Sequence, residues 1–231
     1  MNGERLLKFL ISLFIVLQVL GFVFQIPFLN AYCNPILFAL VIVFYLISSK
    51  RTNALHIIIL LIFFSGELIR FQDVLNTIKF EIMVHTIVYI LLFYFLYYNH
   101  KSFKYNNRDV FTLVLGSSLY TVIFFLAYSI LREPMGELSI LGFLHLLLLY
   151  ILLIVGAMHY INIRSEKSLW FFLSMLNFAF SDFMLLIDRF YLQSNELKVL
   201  MLICQPLALV FLVNYMISKS VHLKSDEFEG F

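Results

Sequence analysis

Eight apolar runs, each close to the length that crosses a bilayer, leave this chain few ways to fold. A helix needs roughly 20 predominantly apolar residues to span hydrocarbon. Runs of that kind occupy residues 6–25, 32–49, 53–71, 79–98, 110–131, 138–160, 168–191 and 196–217. Polar breaks separate them: Lys50-Arg51-Thr52, the stretch 99–109, the turn Glu133-Pro134-Met135-Gly136-Glu137, and 162–167. The slightest break, 26–31, rests on Pro27 and Asn30. In lipid every backbone N–H and C=O must be satisfied within the protein, and a helix does this locally. The sequence therefore predicts an all-α polytopic membrane protein, a bundle of about eight transmembrane helices forming one domain over 1–231.

Composition agrees. Of 231 residues, 62% are hydrophobic and 13% charged, about half the charge of an ordinary soluble domain. A net charge of +2 argues for no nucleic-acid partner. The first run is too long for the apolar part of a signal peptide, and no small-residue cleavage site follows it. Cys33 and Cys204 form neither a disulfide framework nor a metal spacing, so no metal and no cofactor is expected. Eleven of the 16 Lys and Arg fall at one set of span ends, from Arg5 and Lys8 through Lys50, Arg51 and Arg164 to Lys219 and Lys224. The positive-inside rule then predicts that both termini are cytoplasmic. The expected location is the plasma (inner) membrane, with the bilayer as partner.

That orientation assigns a depth to each polar residue inside a run. At 1.5 Å rise per residue, Glu67 comes out roughly 7 Å outside the middle of its span, and Asp182, His85 and His145 roughly 5 Å. Gln18 and Gln205 come out about 4 Å and 2 Å on the same side. Six polar side chains from six helices thus share one shallow layer. Glu81, His85 and Tyr89 are spaced i, i+4, i+8, along a single helical stripe. Ionisable residues at such depth usually face a protein interior or a wet cavity and mark a functional site. The expected picture is a cavity open to the outer leaflet, with Glu67 and Asp182 at its floor and Arg70 and Arg189 near its mouth, Asp188 being their solvated partner.

Several short motifs resemble the YhhN family of membrane proteins, whose characterised members are lysoplasmalogenases. They are Gly66-Glu67 with His85 and Tyr89 on the next span; Ser181-Asp182-Phe183-Met184-Leu185 followed by Arg189-Phe190; Cys204-Gln205; and Asn34-Pro35. The resemblance runs from about Asn34 to about Gln205. Three positions depart from it: Glu67 stands where the family has Asp, Asn34 where it has Lys, and Cys204 where it has Ala. The resemblance implies a hydrolase that cleaves the vinyl ether of a lysophospholipid substrate to a fatty aldehyde and a glycerophospho-alcohol. Protonating an alkene carbon and capturing the resulting cation with water suits two carboxyl groups, one protonated and one ionised. Glu67 and Asp182 are the expected pair, with His85 as shuttle or orienter. Tyr89, His145 and Gln205 are candidates to bind substrate or water, and Arg70 and Arg189 to hold its phosphate.

Two other readings remain. The same acids would serve a small proton-coupled transporter, and they would be compatible with a non-catalytic lipid-binding protein. There is also a faint internal echo between residues 1–100 and 110–219, each a set of four spans with an acid on the third. The tail 224–231 reads as disordered.

Overall fold

A computed structural model describes residues 3–71, 77–98 and 106–220, without the side chains of 69–71, 77, 96–98 and 219–220. The tail 224–231 and the side chain of Arg70 lie outside the described residues. Among the described residues eight α-helices follow one another: α1 (Gly3–Val23), α2 (Pro27–Ser48), α3 (Ala54–Phe71), α4 (Thr77–Tyr98), α5 (Asn107–Met135), α6 (Ser139–Ile163), α7 (Glu166–Phe190) and α8 (Asn195–Ser220). Six helical stretches among them are long and apolar enough to cross a membrane; α5 and α6 count together as one stretch, Asn107–Ile163, and the apolar part of α3, Ala54–Leu68, is shorter. The result is an all-α, multi-span helical bundle consistent with a polytopic membrane protein.

Local chemistry explains where the helices stop. At the end of α1, Gln25 adopts φ 53°. The N–H of Ile26 donates to Gly21 O at 2.8 Å and that of Gln25 to Phe22 O at 3.2 Å, the pair of bonds that closes a Schellman motif. Pro27 then opens α2, its fixed φ suiting a first helical position. The apolar run at 32–49 thus understates α2 by five residues at its start, because a tight turn replaces the longer break expected at 26–31. At the start of α7, the Ser165 hydroxyl accepts from Ser168 N and the Ser168 hydroxyl from Ser165 N, each at 3.2 Å. This is a reciprocal cap with Ser in place of the usual Glu.

Gly21 permits the tight α1–α2 hairpin. A Cβ there would lie 2.5 Å from Leu29 Cβ and 3.3 Å from Asn30 N, so the helices touch where only glycine fits. Gly21→Leu is expected to cost about 1–3 kcal/mol through overpacking. Thermal unfolding in detergent would check this, and an unchanged midpoint would show that the hairpin has room to spare.

The helices alternate in direction. One end of the bundle, here the upper end, carries the α1–α2 and α7–α8 turns, which border the same cavity. The lower end carries the start of α1, where Lys8 lies 5.6 Å over the Phe44 ring, and the last turns of α8, where Tyr215 packs on Phe95 and Phe171. The packing is not simply sequential. Besides chain neighbours, α4 packs on α6, α2 and α1 on α8, and α5 on α7. α7 is enclosed by α5, α6 and α8, and buried positions run along its length from Ser168 to Asp188. α5 lies at the periphery, exposing Phe111, Leu115, Leu119, Ile123, Phe125 and Ile130, an apolar face that suits lipid.

Candidate functional site

The polar layer expected from the sequence exists, and it is buried. Glu67, His85, His145, Asp182, Gln205 and Gln18 are all 4% exposed or less. Near the middle of the bundle, Phe63 of α3 stacks on Phe178 of α7, with centroids 5.1 Å apart and planes 7° from parallel. Glu67 is four residues beyond Phe63 and Asp182 four beyond Phe178. One helical turn above each ring, on the same face, therefore stands an acid. The two carboxylates share a level on facing helices, and two sets of hydrogen bonds surround them.

The first set centres on Asp182. The Tyr89 hydroxyl of α4 donates to its Oδ2 at 2.6 Å. His145 of α6 meets the same oxygen through Nε2 at 2.9 Å. His85 Nδ1, one turn from Tyr89, faces Oδ1 at 3.6 Å, a charge contact too long for a hydrogen bond. The stripe formed by His85 and Tyr89 thus reaches both oxygens of one acid.

The Thr86 hydroxyl donates to Ile82 O at 2.6 Å, so its oxygen is left to accept, and His145 Nδ1 lies 3.0 Å from it. Oδ2 thus receives Tyr89 and meets Nε2 of His145, while Nδ1 of the same ring faces the Thr86 hydroxyl. A buried acid and a buried imidazole are thus in direct hydrogen-bond contact, the geometry that a proton transfer between them requires. His56 offers a contrast: it is equally buried but bonds Tyr45 OH at 2.9 Å and packs edge-on to Phe95, which is a structural arrangement.

The second set centres on Glu67. Gln205 Nε2 of α8 donates to its Oε1 at 2.7 Å, and Asn34 Nδ2 of α2 donates to its Oε2. Both oxygens accept from amides, which hold a carboxylate in place without a proton to give up. Proline follows each amide, Pro35 inside α2 and Pro206 inside α8. Each proline lacks the N–H that the carbonyl four residues earlier would accept, at Ala31 and Leu202.

Above this second set, at the upper end, lies a cavity of about 620 Å³ between the α1–α2 turn and the start of α8. Its polar lining is Gln25, Asn30, Asn195 and Glu196, beside Phe22 and Leu200. Its described lining carries a carboxylate and amides and no arginine, and neither Glu67 nor Asp182, expected at the floor of such a cavity, lines it. Arg189 is exposed and is not brought to it. Asp188 is not solvated as expected. It is 3% exposed, accepts the Ser194 N–H at 3.1 Å and lies 4.0 Å from Lys198 Nζ, because the α7–α8 turn folds back over it.

Asn34 was singled out in the sequence only as a departure from the resemblance, with no role at the site, and Thr86 was not singled out at all. No group of three or more His, Cys, Asp or Glu is placed to hold a metal ion among the described residues. Comparison with known protein families, with curated proteins and with solved structures found no match.

Proposed function

We propose that this chain is a membrane-embedded hydrolase that cleaves the vinyl ether of lysoplasmalogen-type lysophospholipids, as its motifs' resemblance to the YhhN family implies. The observation that carries the reading is the 2.9 Å contact between Asp182 and His145, sealed from solvent and faced on its other carboxylate oxygen by His85. In this reading Asp182 supplies the acid and Glu67 is the carboxylate that stays ionised.

The reaction balances with water as the only co-reactant. A proton passes from the Asp182 centre to the alkene carbon remote from the ether oxygen, leaving an oxocarbenium ion. Water adds to the carbon bearing oxygen and returns a proton to the Asp182 centre. The hemiacetal then breaks its original C–O bond, releasing a fatty aldehyde and the glycerophospho-alcohol. Transfer of a positioned proton in this way contributes typically 10²–10⁴-fold to rate. Low local dielectric strengthens the interaction of nearby carboxylates with the developing cation.

The surroundings suit a lipid. An apolar groove of about 300 Å³ runs between α5, α6 and α7, lined by Leu153, Ala157, Phe172 and Leu176 and bordered by Tyr120. Tyr120 packs edge-on against Phe183, the residue after Asp182, so a hydrocarbon chain in the groove would lead toward the acid. In the same reading all eight helices span the plasma (inner) membrane, the lower end with both termini is cytoplasmic by its Lys and Arg excess, and the upper cavity opens outside.

The test is direct. Purified protein given a lysoplasmalogen is expected to release fatty aldehyde; a folded protein that releases none would remove this substrate. A second reading, a proton-coupled carrier, is favoured by prolines inside α2 and α8, Pro35 and Pro206, each next to an amide that binds a buried acid. Proton or solute flux in proteoliposomes without aldehyde release would support it instead.

A further inference from the structure

Tyr120 carries a buried hydroxyl that the protein leaves unused. Among the described residues its OH has no hydrogen-bond partner, and a buried polar group in that state asks for an explanation. Its neighbour is the contrast. The Tyr150 ring stacks on Tyr120, with centroids 5.5 Å apart and planes 8° from parallel. The Thr121 hydroxyl donates to Ser117 O at 2.6 Å, so its oxygen is left to accept, and the Tyr150 hydroxyl lies 2.6 Å from it. Of two tyrosines packed ring on ring, one hydroxyl is engaged and the other is not.

Tyr120 lines the apolar groove between α5, α6 and α7. Thr112, Gly116 and Tyr120 of α5 line it at i, i+4, i+8, as do Leu153, Ala157 and Ile161 of α6. The α5 stripe is roughly 12 Å long. The other two hydroxyls of the described lining turn back to their own helix, Thr112 to Arg108 O at 3.0 Å and Ser117 to Val114 O at 3.2 Å. The Tyr120 OH is therefore the one uncommitted side-chain donor in that lining. It marks the end of the groove nearer Asp182, because Tyr120 packs against Phe183.

Gly116 is an independent observation. A glycine inside a helix is destabilising relative to alanine. Gly21, Gly66 and Gly156 stand where a Cβ would press on a neighbouring helix, but a Cβ at Gly116 would meet nothing within 4 Å. Close packing does not account for it; its effect is to keep the groove wide. Thr112 and Gly116 are exposed while the Tyr120 hydroxyl is buried, so the groove opens sideways and closes at its polar end. Apolar walls suit hydrocarbon, and the donor at the closed end suits an oxygen where the hydrocarbon stops. Tyr120 is thirteen residues from the start of α5, roughly 20 Å, so that oxygen lies inside the bundle. A two-chain lipid would have to bring its second chain to the same enclosed point, and at about 300 Å³ the groove is at the lower limit of ligand pockets.

We propose that this groove seats the hydrocarbon chain of a single-chain lipid, that the Tyr120 hydroxyl donates to the oxygen joining the chain to its polar part, and that Gly116 keeps the seat open. The proposal deepens the hydrolase reading and rests on it for bringing that oxygen toward Asp182. The seat is measurable with a lipid that has no vinyl ether, so the two can fail separately.

The experiment places the purified full chain in nanodiscs of two-chain phosphatidylcholine. The probe is a trace of ester-linked palmitoyl lysophosphatidylcholine with a diazirine midway along its chain. Irradiation is expected to label groove residues of α5, α6 and α7, and titrating the probe gives its apparent affinity. Gly116→Leu fills open space, so thermal stability is expected to hold or rise, while affinity falls about a hundredfold, the worth of about three or four displaced methylenes. Tyr120→Phe is expected to weaken the lysolipid about fivefold, the worth of one hydrogen bond. It should leave competition by hexadecane, which has no acceptor, unchanged, whereas a merely structural tyrosine would shift both alike. Competition by palmitic acid as well as by unlabelled lysolipid assigns the seat to single-chain lipids generally, competition by the lysolipid alone assigns it to those with a headgroup, and both support the proposal. Label outside the groove, an affinity unmoved by Gly116→Leu, or a Tyr120→Phe effect that is absent or equal for lysolipid and hexadecane would overturn it. Label in the groove with no aldehyde from a lysoplasmalogen would keep the seat and remove the hydrolase.

Discussion

If the chain is the proposed hydrolase, Asp182→Asn is expected to lower the rate of aldehyde release about a thousandfold, within the range lost with a positioned general acid. The substitution keeps size and shape. The amide oxygen it introduces can still accept from Tyr89 and His145, so the bundle has little reason to rearrange. What disappears is the place to put the proton between Nε2 and Oδ2, now 2.9 Å apart. An amide does not deliver a proton at neutral pH, and it does not take one back from the attacking water. Initial rates measured beside the wild type, with thermal unfolding to show that the variant is folded, check the expectation. A variant with the wild-type rate would exclude Asp182 from the chemistry while leaving the enzyme in place.

The second large effect concerns stability. His145→Leu removes the imidazole that lies 2.9 Å from a carboxyl 1% exposed. Two magnitudes compete. If the link were an ordinary interhelical hydrogen bond, its loss in a membrane protein would average about 0.6 kcal/mol. If it is a charge-carrying pair, removing one partner strands a buried charge and costs about 3–5 kcal/mol. The proposed proton transfer requires the second, with Nδ1 facing Thr86 and Nε2 facing Asp182. Adding Asp182→Asn to His145→Leu should then restore most of the loss, since no charge remains to strand. Unfolding measured across the four proteins gives the coupling directly. Losses that simply add would show that the pair is neutral and weak.

How much of this was legible in the sequence follows from what each signal measures. Hydropathy marks apolar runs, so the helices appear nearly where expected; the clear shifts are at the start of α2, where a turn that hydropathy does not see replaces the break, and at the end of α5, which runs on through Pro134 to Met135 where a turn was expected. Helical spacing put His85 and Tyr89 on one stripe, and both meet Asp182. Depth placed Glu67, His145 and Gln205 in the same layer. The sequence does not state which helices are neighbours. That α4 packs on α6 and α2 on α8 is a tertiary fact. It decides that Asp182 takes the histidines and Tyr89 while Glu67 takes Asn34 and Gln205. Asn34 stood out only as a departure from the resemblance, and nothing in the sequence pointed it at Glu67, because that contact depends on α2 and α3 being neighbours. Asp188 was misjudged because its position at a span end suggested water, whereas the α7–α8 turn covers it.

The parallel rings of Phe63 and Phe178 lie where two equivalent arrangements meet. Each acid draws one partner from the second helix of its own four-helix set, Asn34 for Glu67 and His145 for Asp182, and one from the fourth helix of the opposite set, Gln205 and Tyr89 respectively. The sets are clasped like two hands, each completing the other's grip. Severed between α4 and α5, each fragment would leave its buried acid short of partners, Glu67 without Gln205 and Asp182 without Tyr89 and His85, so the halves gain by associating in a bilayer.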